Sequence, residues 1–238
     1  MTREIIKHPS PNFGPRPADC PIDILVLHYT GMQTGQAALD RLCDPQSSVS
    51  SHYVIEEDGR IFQLVDEADR AWHAGLGCWQ GCRDINSQSI GIEIVNPGHE
   101  FGYRPFPDAQ IASVIALSRD IVKRHSIRPD RVIGHSDIAP DRKEDPGELF
   151  PWQKLAENGI GLWPKVDELP AVPNDVSGKS AALFYELLTQ IGYDADDATD
   201  HHAQTVAFQR HWRPSDISGR IDAECIAIAT ALASQVST

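Results

Sequence analysis

IDILVLH, residues 22–28, holds four consecutive apolar residues, Ile24 to Leu27, and ends in a histidine. Such a run reads as a strand covered on both faces, as in sheets that carry helices on each side. His28 then falls at the C-terminal end of that strand, where side chains of such sheets point into the ligand crevice. Further on, SIGIEIVN (89–96) alternates strictly, with Ile90, Ile92 and Ile94 on one face and Gly91, Glu93 and Val95 on the other. A carboxylate opposite three isoleucines belongs either to a solvated sheet surface or to a site. RVIGH (131–135) predicts another short strand, again ending in a histidine.

Helices alternate with these strands. TGQAALDRLC (34–43) predicts a short helix with Thr34 as N-cap, and apolar residues at 111, 114, 115, 117, 121 and 122 predict an amphipathic helix from Asp108 to His125. SHYVIEEDGRIFQLV (51–65) reads as two strands joined around Glu57-Asp58-Gly59, a hairpin signal of the Asp-Gly type. The fold class expected is therefore α/β, a mixed central sheet flanked by helices. A prolyl stretch over 164–177, with Pro164, Pro170 and Pro173, reads as a linker between a main domain at 1–163 and a small one at 178–238. The latter shows three helical patterns, SAALFYELLTQIGY, HHAQTVAFQRHW and AECIAIATALAS.

The formal net charge of −13 repels phosphate backbones and anionic lipid, which argues against nucleic acid as a partner. No run of about eighteen apolar residues predicts a membrane segment. MTREIIKHPSPNFGP lacks the apolar core of a signal peptide, so the expectation is a cytoplasmic protein, with the periplasm as the alternative. Five sparsely placed cysteines, Cys78 and Cys82 among them, read as free thiols rather than a disulfide framework.

The stretch GHSDIAPDRKEDPG (134–147) is too polar and too broken for a core strand or an amphipathic helix, and by composition it is a solvated acidic loop. His28, His135 and Asp145 together would supply two imidazoles and a carboxylate, a three-ligand set that leaves a fourth zinc position open. Glu93 could move a proton between a water and a leaving nitrogen, and Lys143 could face a developing oxyanion. No local spacing joins these residues, however. On the residues alone, a surface glutamate and a solvated lysine is the simpler reading.

VLHYT (26–30), SSHYVIEEDGRIFQLV (50–65), RAWHAG (70–75), SIGIEIVNPG (89–98) and GHSDIAPDRKEDPGELFPW (134–152) together resemble the zinc-dependent N-acetylmuramoyl-L-alanine amidases of the type 2 family. The resemblance covers about residues 10–163. It implies one zinc ion on His28, His135 and Asp145, Glu93 as catalytic base and Lys143 as oxyanion partner. Related phage lysozymes and peptidoglycan recognition proteins carry a cysteine where Asp145 stands and a tyrosine where Ser51 aligns, so this chain is similar to the bacterial branch. His52 and His73 match positions along the family's substrate groove, and Trp72 and Asn86 are candidates for contact with sugar or peptide. Peptidoglycan or anhydro-muropeptides are the partners implied. The reaction implied is hydrolysis of the amide between N-acetylmuramic acid and L-alanine of the stem peptide. A catalytically inactive peptidoglycan-binding protein and a zinc peptidase acting on stem peptides are the alternatives.

VAFQRHW (206–212) followed by SGRIDAECIAIA (218–229) is similar to the helical peptidoglycan-binding domain of wall hydrolases. A module that caps the main domain, or builds a dimer, is the other reading. His8, His99, His125, His201, His202 and His211 match nothing and are taken as surface or structural.

Overall fold

The computed structural model describes residues 4–164, 178–196 and 200–236, so the expected linker lies, apart from Pro164, outside the described residues. An N-terminal arm supplies β1 (Ile5–Lys7) and β2 (Phe13–Pro15). There follow β3 (Ile24–Tyr29), α1 (Gly35–Cys43), β4 (Tyr53–Ile55), β5 (Ile61–Gln63), β6 (Asp69–Ala71), α2 (Ile85–Gln88) and β7 (Ser89–Ile94). Then come α3 (Gly98–Phe101), α4 (Asp108–His125), β8 (Val132–Gly134), α5 (His135–Ile138) and α6 (Trp152–Glu157). The C-terminal part holds α7 (Gly178–Ile191), α8 (His201–Trp212) and α9 (Ala223–Ala233).

The main sheet runs β1-β5-β4-β7-β3-β8, and β2 pairs with β6 separately. Only β4 and β5 are antiparallel in the main sheet, as the Asp-Gly hairpin predicts; the other neighbours are parallel. Gly59 takes φ +87 in that turn, a left-handed conformation that costs glycine little. Thr34 caps α1 by accepting from the Ala37 N–H.

Alternation sorts the two sheet faces. Leu25, Leu27, Ile90, Ile92 and Ile94 pack under α4, against Ile111, Val114, Leu117 and Ile121. On the opposite face there are two apolar groups. Ile24, Val26 and Ile133 join Trp79 and Ile138 with Phe184, Phe208 and Trp212 of α7 and α8. Val54, Phe62 and Val95 pack instead on Leu39 and Leu42 of α1. The polar residues of β3 and β7 lie on this same divided face. Each fully buried side chain of this size stabilises by about 1.5–3 kcal/mol, so the C-terminal helices share a substantial core with the sheet.

Two expectations about 134–147 need correction. The strand ends at Gly134, and His135 opens the helical turn α5 rather than closing the strand. Asp137, read as solvated, is only 1% exposed. Its carboxylate accepts from the Gly134 N–H, the Tyr193 hydroxyl and His211 Nδ1, each at 2.7 Å. Two of those donors come from the C-terminal helical part, which is why composition could not show the burial. Arg210 of α8 also reaches Glu144, at 2.8 Å. All five cysteines are free. Among the described residues no helix is long and apolar enough to cross a membrane.

Candidate active site

Parallel register brings the catalytic candidates together. His28 pairs with Glu93 across β3 and β7, while Leu27 pairs with Gly134 of β8. His135, the next residue, therefore emerges beside His28 on the side opposite Glu93. The C-terminal ends of three adjacent parallel strands thus line up a histidine, a glutamate and a second histidine. Asp145 returns to this row because the loop is closed by its own backbone: Ser136 N–H donates to Asp145 O at 2.9 Å, and Lys143 N–H to Ala139 O at 3.0 Å.

His28 Nδ1 lies 2.9 Å from His135 Nδ1, and both nitrogens lie 3.0 Å from Asp145 Oδ2, although the histidines are 107 positions apart. All three side chains are buried. His135 Nε2 donates to the Ala74 carbonyl at 2.9 Å, which leaves its Nδ1 turned to the cluster. Burial first, then His135, push the His28 imidazole down to about 4, so it is neutral at pH 7. Converging lone pairs at such distances repel one another. A cation among them satisfies all three, so this donor set fits a metal ion.

Glu93 borders the cluster with one carboxylate oxygen, Oε2, buried and without a hydrogen-bond partner among the described residues. Burial, reinforced by Asp145 and opposed by Lys143, pushes its carboxyl well up. A carboxyl raised in this way suits a group that both takes and returns a proton. Lys143 lines a cavity of about 350 Å³.

That cavity is lined by Trp72, His73, Glu93, His135, Lys143 and Asp145, among others. His52 and Asn86 do not line it. His52 is fully buried, its Nδ1 accepting from the Gly91 N–H at 3.0 Å. Asn86 Oδ1 accepts from the backbone N–H groups of His73 and Ala74 at 3.1 and 2.9 Å. Both serve the wall behind the cavity. Sequence reasoning missed Tyr29, Arg41 and Arg142, which also line the cavity. Tyr29 and Arg142 adjoin residues already singled out, and that adjacency was the available signal. Arg41, in the last turn of α1, had none.

The fold and site together define a class: an α/β protein with a metal-capable cup at the ends of parallel strands. A family model described as N-acetylmuramoyl-L-alanine amidase matches residues 18–148. The chain is 42% identical to the N-acetylmuramoyl-L-alanine amidase AmiD of Escherichia coli, over 89% of this chain and 82% of that protein. It is 40% identical to the 1,6-anhydro-N-acetylmuramyl-L-alanine amidase AmpD of Haemophilus influenzae, over 61% of this chain and 86% of that one. Among solved structures, AmiD in complex with anhydro-N-acetylmuramic acid-L-Ala-D-gamma-Glu-L-Lys superposes with TM-score 0.81, covering 92% of this chain and 93% of that chain at 40% identity. AmpDh3 of Pseudomonas aeruginosa with anhydromuramic pentapeptide gives 0.78, covering 90% and 92% at 34% identity. The chain belongs to the N-acetylmuramoyl-L-alanine amidase family.

Proposed function

We propose that the protein holds one zinc ion on His28 Nδ1, His135 Nδ1 and Asp145 Oδ2, and hydrolyses the amide between N-acetylmuramic acid, or its anhydro form, and L-alanine of the stem peptide. The observation that carries this reading is the meeting of three metal-capable donors beside the partnerless oxygen of Glu93. The anhydro-muropeptide bound to AmiD supports the substrate class. Zinc, when bound, supplies Lewis-acid polarisation of the scissile carbonyl and lowers the pKa of water.

Glu93 takes the proton from the attacking water, its raised pKa matching it to that task. The same carboxyl then delivers the proton to the departing amine of L-alanine. Lys143, a cation at the cavity wall, meets the charge that develops on the carbonyl oxygen. Trp72 and His73 line the same wall, which supports contact of the Trp72 indole with sugar or peptide, while both His73 nitrogens are engaged within the protein.

Residues 178–238 are further proposed to attach to peptidoglycan, supported by the similarity of VAFQRHW and SGRIDAECIAIA to wall-binding modules. Incubation with purified sacculi and with anhydro-muropeptides, with and without a chelator, tests the whole reading. A chelator-sensitive release of stem peptide with a free L-alanine amino terminus supports it. Binding without cleavage would identify an inactive receptor, and cleavage inside the stem peptide a peptidase.

A further inference from the structure

Behind the proposed ligands lies a hydrogen-bond chain whose direction is fixed at its far end. Ser89 Oγ has one proton and gives it to the Ile85 carbonyl at 2.6 Å. Toward His73 Nε2, 3.1 Å away, the hydroxyl can only accept, so His73 carries its proton on Nε2. With one proton on this buried ring, Nδ1 has only a lone pair, and it sits 3.0 Å from His28 Nε2. His28 must donate there, and is left with an unprotonated Nδ1 facing His135 and Asp145.

The neighbouring residue does the same for the second histidine. The Ala74 carbonyl accepts from His135 Nε2 at 2.9 Å, so residues 73 and 74 secure both imidazoles from behind. Asn86 Oδ1 fixes this dipeptide by accepting from both of its N–H groups. Space for the His73 ring comes from β7. A Cβ at Gly91 would stand 2.5 Å from His73 Cγ. Ser89, Gly91 and Glu93 alternate onto one face of that strand, so one holds the ring, the next makes room for it, and the third stands beside the metal cup.

We propose that His73 is a positioning residue which, oriented by Ser89 and seated over Gly91, presets the His28 tautomer for metal binding. This rests on the zinc reading above. Partners of this kind raise ligand basicity and spare the site a tautomer change on binding, and their loss typically weakens metal affinity about 10–100-fold.

The test uses the full chain and Zn2+ itself, titrated in competition with a chromophoric chelator, together with the visible spectrum of the Co2+-loaded protein. His73→Leu removes the acceptor, whereas His73→Asn offers an amide oxygen near the position of Nδ1. The expected result is roughly a 10–100-fold weaker Zn2+ affinity and an altered Co2+ spectrum for His73→Leu, with much of both restored in His73→Asn. Wild-type affinity and spectrum in His73→Leu, or equal losses in the two variants, would overturn the proposal. Should His73→Leu fail to fold, Ser89→Ala carries the test: weaker Zn2+ affinity supports the chain, and wild-type affinity overturns it. A wild-type protein that takes up no Zn2+ overturns the zinc reading itself, and this inference with it.

Discussion

The Tyr193 hydroxyl donates to Asp137 Oδ1 at 2.7 Å, tying the turn after α7 to the helical turn that begins with His135. Asp137 is buried, so its other donors, the Gly134 N–H and His211 Nδ1, cannot be replaced freely by water. Tyr193→Phe keeps the ring that packs edge-on against Trp79 but leaves a carboxylate oxygen short of a donor. Its expected cost is about 1–3 kcal/mol, read as a lower urea midpoint at pH 7. An unchanged midpoint would show that the bond contributes nothing.

Glu93→Gln keeps the size of the side chain and removes its ability to take a proton. Turnover on an anhydro-muropeptide is expected to fall about 10²–10⁴-fold, while bound zinc stays at one equivalent. Wild-type turnover in this variant would remove Glu93 from the role of base.

Asp145→Ala takes away one of three proposed ligands and leaves His28 and His135 facing each other, with their Nδ1 atoms 2.9 Å apart in the parent structure. Metal analysis should find zinc and activity lost together. Full zinc occupancy in this variant would contradict the ligand assignment. In the parent protein a chelator should lower the melting temperature, because an ion bound only by the folded state stabilises it.

Lys143→Met preserves much of the apolar stem and deletes the charge. A loss of about 10²–10³-fold in kcat with little change in zinc content is expected. If KM alone rises, Lys143 binds substrate rather than stabilising the oxyanion.

Glu67 gives a pH dependence unconnected with the cluster of His28, His135 and Asp145. Burial pushes its carboxyl up, but hydrogen bonds from His125, Arg124 and Tyr53 together outweigh that and leave it below its ordinary value. A depressed carboxyl stabilises the fold above the unfolded pKa of about 4.3 and loses that contribution as pH falls through the folded value. Glu67→Gln should therefore be less stable than wild type at pH 7, with the difference shrinking below about pH 4. Denaturation midpoints across this range check it. A constant difference would exclude the ion as its source.

Local pattern carried most of the architecture. The apolar run of β3, the alternation of β7 and the spacing within α4 are each properties of a few successive residues, because side-chain direction repeats every two residues in a strand and every 3.6 in a helix. The Asp-Gly hairpin and the Thr34 cap were legible for the same reason. His28, Glu93, Lys143 and Asp145 could be singled out by residue type and by resemblance, but nothing in their spacing showed that they meet.

Tertiary structure decided the rest, since a hydrogen bond or a burial depends on what another part of the chain brings. Asp137 looked solvated until Tyr193 and His211 were seen against it. His52 and Asn86 looked like groove residues, yet they hold Gly91 and the 73–74 backbone. From its sequence the chain could be recognised as a mixed α/β protein with a resemblance to amidases. Only the parallel register of β3, β7 and β8 sets Glu93 and His135 on either side of His28, and only the folded chain sets Ser89 and His73 behind His28 Nε2, where the proposed tautomer is chosen.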